Sequence, residues 1–293
     1  MAEGIGGAIE DVRRRMGDAV FERIAGTDGA AERSRLHQPG ERWFHADSPI
    51  ARVHGDASMF VGGLAALLLQ SLHPLAMAGV DAHSGYRGDP WGRLARTSHF
   101  LAVTTYGSAA DAERAVAAVR AVHERVHGVA PDGRAYSATD PHLVSWVHLA
   151  EVDCFLRAYQ RYGAHPLTDD EADEYVRQTG IVATKLGAHH VPRDRRQLAA
   201  HLGAYRKELR GTPAARTTAR YLLVSPPLPM RLRGFYAPLA AAAVGLLPRW
   251  TRWPLRLPWL PLTEATLVRT GGHVITGAIR WSLPAASAIA DAR

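Results

Sequence analysis

His123, Glu124 and His127 form an H-E-x-x-H string, and two different chemistries use a histidine in that setting. On a continuous helix, histidines at this spacing lie about one turn apart and can both reach a single Zn²⁺, while the glutamate activates a metal-bound water. A zinc hydrolase built this way needs a third ligand. Pro131-Asp132 occupies the region where a metzincin would place its third histidine, and Glu151, 24 residues beyond His127, is the carboxylate available from a later helix. The second chemistry needs His123 alone, because haem iron can be held by one proximal histidine projecting from a helix into an apolar cavity. A core histidine satisfied by a hydrogen bond carries the same sequence signature.

The surrounding helix sets the phase of these residues. Ser108 is a good N-cap with Asp111 placed for a variant capping box, and Gly128 is a stop signal. Between them Ala112, Ala115, Val116, Val119, Val122, His123 and Val126 recur at the spacing of one apolar stripe. At about 100° per residue His123 lies inside the stripe, His127 at its edge, and Glu124 points away. Phase alone leaves the core, zinc and haem readings of His123 open.

The elements that must position this helix read as helices throughout. The apolar stretch 56–79 predicts a buried helix broken near His73-Pro74, followed by a turn-rich loop over 83–90. Helices are expected at 91–106, 108–127, 141–162, 169–186, 194–210, 212–223 and 264–282, with Asp140-Pro141 and Thr168–Glu171 as start signals. No alternating strand and no internal repeat stands out. Residues 1–40 read as a short helix and polar linker, and 41–293 as one helical domain.

The 293 residues are enough for one large domain. The single cysteine, Cys154, excludes an internal disulfide and any cysteine-based cluster, and is expected as a small core residue. With an N-terminus that lacks the apolar core of a leader, this gives the expectation of a cytoplasmic location. The apolar runs 59–69 and 236–247 fall short of the roughly 20 residues of a membrane span and read as buried core helices. Net charge is +7, yet neither zinc-finger spacing nor an aromatic RNA-binding motif accompanies it, so nucleic acid is not an expected partner. Residues 209–263 hold eight arginines and no acid. Within them, the Pro/Trp/Arg-rich segment 228–262 is expected either to close the core or to offer a peripheral, lipid-contacting surface.

Short motifs follow one another in order along the chain: His73-Pro74, Ala78-Gly79-Val80, His83-Ser84, Asp89-Pro90 and Gly92-Arg93-Leu94-Ala95-Arg96-Thr97, then Val119-Arg120-Ala121-Val122-His123, Tyr136-Ser137-Ala138-Thr139-Asp140-Pro141 and Trp146-Val147-His148. This series resembles the MpaB-like oxygenase family, which includes the latex-clearing rubber oxygenases, over roughly residues 40–225. The resemblance implies an all-α protein, a single large helical domain with a bundle-like or globin-like core enclosing haem b, and an O₂-dependent oxidation of an apolar substrate. It makes His123 the axial iron ligand and Arg93 a partner for the cofactor. Arg96 and Thr97 become catalytic groups, the threonine hydroxyl bonding to oxygen on the iron.

Two departures stand out. Latex-clearing members carry lysine where this chain has Arg96, which stays protonated and cannot act as a base. They also use a glutamate base before the arginine, whereas residues 72–80 hold no carboxylate and Asp81 and Asp89 are the nearest. Polyisoprene cleavage is therefore not expected; a different apolar substrate or haem reaction is. Two other readings stand beside this one: the zinc hydrolase of His123, Glu124 and His127, and a non-catalytic haem-binding protein.

Overall fold

The computed structural model describes residues 40–83 and 89–283. The expected N-terminal helix and linker lie outside the described residues except for their last position, as does most of the 83–90 loop. The described chain is all-α apart from one small hairpin. In order it forms α1 (Pro49–His54), α2 (Met59–Gln70), α3 (Pro74–His83), α4 (Pro90–Tyr106), α5 (Ala109–His123), β1 (His127–Val129), β2 (Ala135–Ser137), α6 (Pro141–Tyr162), α7 (Asp169–Leu186), α8 (Arg195–Tyr205), α9 (Pro213–Val224), α10 (Met230–Leu246) and α11 (Arg249–Leu255). A short α12 (Pro261–Thr263), a π-helical turn (Glu264–Val268) and α13 (Arg269–Ser282) follow.

Helix α2 carries no charge and is the central element. Its most extensive packing is against α6, the longest helix, and it also meets α10. Val61, Ala65, Leu68 and Leu69 pack in one core with Trp146, Leu149, Ala150 and Val152. The two backbones come close at Gly62, where a Cβ would stand 3.1 Å from Ala158 and Phe155 and 3.2 Å from the Phe155 backbone. Adjacent Gly63 is the opposite case, since a Cβ there would meet nothing within 4 Å.

Two forces break the apolar run after Gln70. Pro74 starts α3, and the chain bends by 108° between α2 and α3. The carbonyls freed at the bend find donors from other elements: the Trp146 indole N–H donates to the Gln70 carbonyl at 3.2 Å, and the Arg210 amide to Leu72 at 2.8 Å. Trp146 is thus fully buried core with its one polar atom satisfied. No described helix is by itself long and apolar enough to cross a membrane.

Local capping follows the sequence. Asp89, Ser108, Asp140 and Thr168 accept from backbone amides at the starts of α4, α5, α6 and α7, Thr168 with Glu171 as a complete capping box. Far along the chain, Arg280 of α13 makes paired 2.9 Å bonds to Asp56 and a 2.8 Å bond to the Tyr162 carbonyl, which ties the C-terminal helix onto the α1–α2 turn and the end of α6.

Two expectations are corrected and two are met. The helix expected to reach residue 127 stops at His123, because residues 127–129 are drawn into β1, where Gly128 faces Tyr136 and a Cβ would sit 2.8 Å from the tyrosine hydroxyl. The absence of strands is overturned by this hairpin. The apolar run 236–247, expected as a core helix, lies in α10, which holds Pro238 internally and packs on α2 and α13, and α11 buries Arg252, which pairs with Glu264. Cys154 is buried core, as expected.

The two adjacent glycines give a direct test of the seam. Gly62→Ala is expected to destabilise by about 1–3 kcal/mol through overpacking, whereas Gly63→Ala is expected to be neutral or to stabilise by roughly 0.5–1 kcal/mol through helix propensity. Urea unfolding of both variants checks the difference.

Candidate functional site

Helices α4 and α5 pack against each other, α4 also on α1 and α5 on α7, but neither lies packed along α2 or α6. The inward face of α2 carries Phe60, Gly63, Leu67 and Gln70, which share one side at helical spacing. All four keep accessible surface although they belong to the central helix. On α6 the same holds for Val147, His148 and Glu151. The open space at Gly63 belongs to this face. Half-accessible residues on the most enclosed helices, with a glycine that opens space among them, mark a recess inside the fold.

The recess is polar at one end. The Gln70 side-chain amide donates to the Glu151 carboxylate at 3.2 Å and to the Val147 carbonyl at 3.4 Å. Burial pushes the Glu151 carboxyl up to about 7, against the opposing influence of the Gln70 bond and the Arg93 charge. Burial likewise lowers His148 to about 4, so its imidazole stays neutral. Its Nε2 is buried with no hydrogen-bond partner. An orphaned buried nitrogen of this kind calls for an explanation in a ligand or an ordered group.

His123 ends α5 on the face that also carries the buried Ala112 and Val116. It is half-buried, and desolvation holds its imidazole below the ordinary histidine value, in the neutral form that ligates metals. The stripe is narrower than expected, since Val122 is exposed. Arg93 stands half-buried on α4, near enough for its charge to reach Glu151.

Arg96 and Thr97 are placed differently from expectation. Arg96 turns to solvent and pairs with Asp89 at 3.5 Å, both side chains about two-thirds exposed (67% and 64%). Arg96 thus lies on the surface at the N-terminal end of α4. The Thr97 hydroxyl donates to the Arg93 carbonyl at 3.1 Å, which leaves only its lone pairs for a ligand. The zinc-hydrolase arrangement also loses its basis. His127 lies exposed in β1 and not on the His123 helix, and Glu124 is exposed. Among the described residues, His123, His127 and Glu151 do not converge on a common point, whereas His73, His142 and Glu208 do.

Sequence reading missed Glu151 as a buried acid of the recess and missed the convergence of His73 with His142 and Glu208. The first was detectable, because Glu151 follows His148 on the apolar-rich α6 face; the second depends on three distant segments and left no local signal.

Fold and site together define an all-helical protein with an inner recess that combines apolar walls, a neutral histidine and an acid of raised pKa. The model for the ER-bound oxygenase mpaB/B'/Rubber oxygenase catalytic domain matches residues 51–281. The chain belongs to this oxygenase family. No curated protein and no solved structure matches it significantly.

The unusual acid can be titrated. Because the folded-state value of Glu151 lies above its ordinary 4.5, the folded chain binds this proton more tightly than the unfolded one. Its contribution to stability is therefore largest below 4.5 and falls as pH rises toward about 7. Glu151→Gln is expected to remove that slope from a series of urea midpoints measured across this range; an unchanged slope would show that Glu151 is not the group responsible.

Proposed function

We propose that the protein is a haem b-dependent oxygenase acting on a small apolar substrate with O₂. The observation that carries this reading is the open space along α2 and α6, where a Cβ at Gly63 would meet nothing within 4 Å and the buried His148 Nε2 has no partner, together with the half-buried His123 at the end of α5. These residues fit a large, flat, mostly apolar group with a metal at its centre. His123 would hold the iron, and Arg93 would meet a propionate of the cofactor. When bound, haem supplies the activation of O₂ and the electron transfer that side chains cannot perform.

The chain's own residues then bind, orient and manage protons. Leu67, Phe60 and Val147 line the recess with apolar surface, which selects a hydrocarbon-like substrate and keeps water sparse. Glu151 is the proton-handling group: near neutral pH it exists in both forms, and the Gln70 amide fixes one carboxylate oxygen while the group changes charge. This supplies from α6 the carboxylate that residues 72–80 lack, so the departure from the rubber-oxygenase pattern is one of position rather than of chemistry. His148 remains neutral and offers Nε2 to whatever occupies the recess.

An apolar substrate also needs a route. Residues 209–263 carry arginines and no acid, and the C-terminal helices expose Phe235, Trp253, Leu262 and Leu267 (61%, 89%, 83% and 74%). Exposed aromatic and aliphatic side chains in an arginine-rich segment match an anionic membrane surface, the proposed point of peripheral contact.

Two experiments test this reading. The purified protein, supplied with haem, is expected to show a Soret band. His123→Ala loses or displaces it, and His127→Ala keeps it. Gly63→Phe keeps the helical circular dichroism but blocks haem uptake. A wild type that never takes up haem overturns the proposal, and haem binding without O₂ consumption on any apolar substrate would make the protein a haem carrier instead. Sedimentation with vesicles should show binding to anionic but not to neutral lipid, weakened several-fold in a Trp253→Ala/Leu262→Ala double variant.

A further inference from the structure

Outside the recess, three segments far apart in the chain bring His73, His142 and Glu208 to one point. His73 lies at the α2–α3 bend, His142 in the first turn of α6, and Glu208 in the connection between α8 and α9. One ligand atom from each lies within 4.8 Å of the others. The Glu208 carboxylate oxygen is 2.8 Å from His142 Nε2 and 3.5 Å from His73 Nε2. A tetrahedral ion with bonds near 2.0–2.1 Å holds its ligands on the order of 3.3 Å apart, so small side-chain movements suffice to seat one.

The hydrogen bonds around the cluster point the same way. The Tyr205 hydroxyl donates to the His142 carbonyl at 2.8 Å, so its contact with His142 Nδ1 at 3.2 Å is one in which the ring nitrogen donates. With a proton on Nδ1, Nε2 meets the carboxylate either through a second proton, as an imidazolium that donates to Glu208, or through a cation held between the two. His73 is 1% exposed, and its Nε2 has no hydrogen-bond partner. Its Nδ1 accepts from the Ala76 amide at 3.5 Å, the outer limit of a hydrogen bond; ligation by Nε2 moves the ring proton to Nδ1 and gives up only this weak contact. His142 is half-exposed, so one side of the cluster is open, toward a recess lined by His189, His190, His201 and Tyr205.

We propose that His73, His142 and Glu208 bind a divalent first-row transition metal ion, separate from the haem recess and open on one side to water or a small ligand. Two imidazoles and one carboxylate are a donor set shared by zinc sites with an open position and by non-haem Fe(II) sites, so the ion class is named here and the experiment separates the two. The site would pin the α2–α3 bend to the start of α6 and to the α8–α9 connection. It stands independently of the haem reading.

The test uses the full-length protein after treatment with a chelator. Calorimetric titration with Zn²⁺, and with Fe²⁺ under anaerobic conditions, is expected to show a saturable site of one ion per chain, and the tighter ion identifies the natural occupant. His142→Ala and Glu208→Gln each change a partly exposed side chain and should weaken binding by about 100-fold or more while keeping the helical circular dichroism. His189→Ala/His190→Ala should leave it unchanged. If His142→Ala fails to fold, Glu208→Gln alone decides. A wild type with no saturable site overturns the proposal, as do ligand variants that bind like the wild type, or loss of binding only in the His189/His190 variant.

Discussion

The structure depends on how the chain disposes of an uncharged helix that ends in the middle of the protein. Burial of α2 against α6 is the dominant apolar contact, and it places the α2 C-terminus where its last carbonyls have no water to bond. The 108° bend is the consequence: the helix cannot continue through Pro74, and its free carbonyls must meet donors from elsewhere. Trp146 and Arg210 supply them, from α6 and from the segment before α9. Each donor fixes a distant element to the bend, so one local problem of backbone polarity organises the long-range packing.

The same bend separates two polar sites. Gln70, the last residue of α2, reaches Glu151 inside the fold, while His73, just past the bend, turns toward His142 and Glu208. At Glu208 the charge balance favours ionisation: burial pulls the carboxyl up, but the hydrogen bond from His142 and the two imidazoles outweigh it and hold the group below its ordinary value. At Glu151 burial wins, because one amide and a distant arginine do not replace the lost water. Two carboxylates of one fold thus end with opposite shifts, and the difference lies in how many donors each one has.

Much of this was legible in sequence, and what was not has definite causes. Every capped helix start was visible because Ser108, Asp140 and Thr168 act on amides within three residues of themselves. The apolar phase of α5 placed Val116 and His123 on one face, and the break at His73-Pro74 followed from proline chemistry alone. The hairpin was invisible because its strands are three residues each, too short for an alternation to register. Helix α10 was legible as a core helix over the apolar run 236–247, but its start at Met230 was not, and the packing against α2 and α13 accommodates Pro238 inside it. Glu151 was in view only as a ligand for His127; its real setting depends on Gln70, 81 residues away. The cluster of His73, His142 and Glu208 spans three elements, and no pattern within any one of them encodes it.

The H-E-x-x-H string shows why spacing is evidence only on a confirmed helix. Its chemistry requires helical backbone across all five residues, so that both imidazoles leave the same side one turn apart. Here the last helical residue is His123 itself, and two tight turns, Arg125 to Val122 at 3.1 Å and Val126 to His123 at 3.0 Å, redirect the chain into β1. The force behind that redirection is tertiary: Tyr136 lies over Gly128, its hydroxyl meets His83 of α3 at 3.2 Å, and the ring joins Leu143 in a small core. Extending α5 through His127 would withdraw Gly128 from Tyr136 and open that core to water. The hairpin therefore selects against the zinc geometry and leaves His123 alone of the two histidines on helix α5.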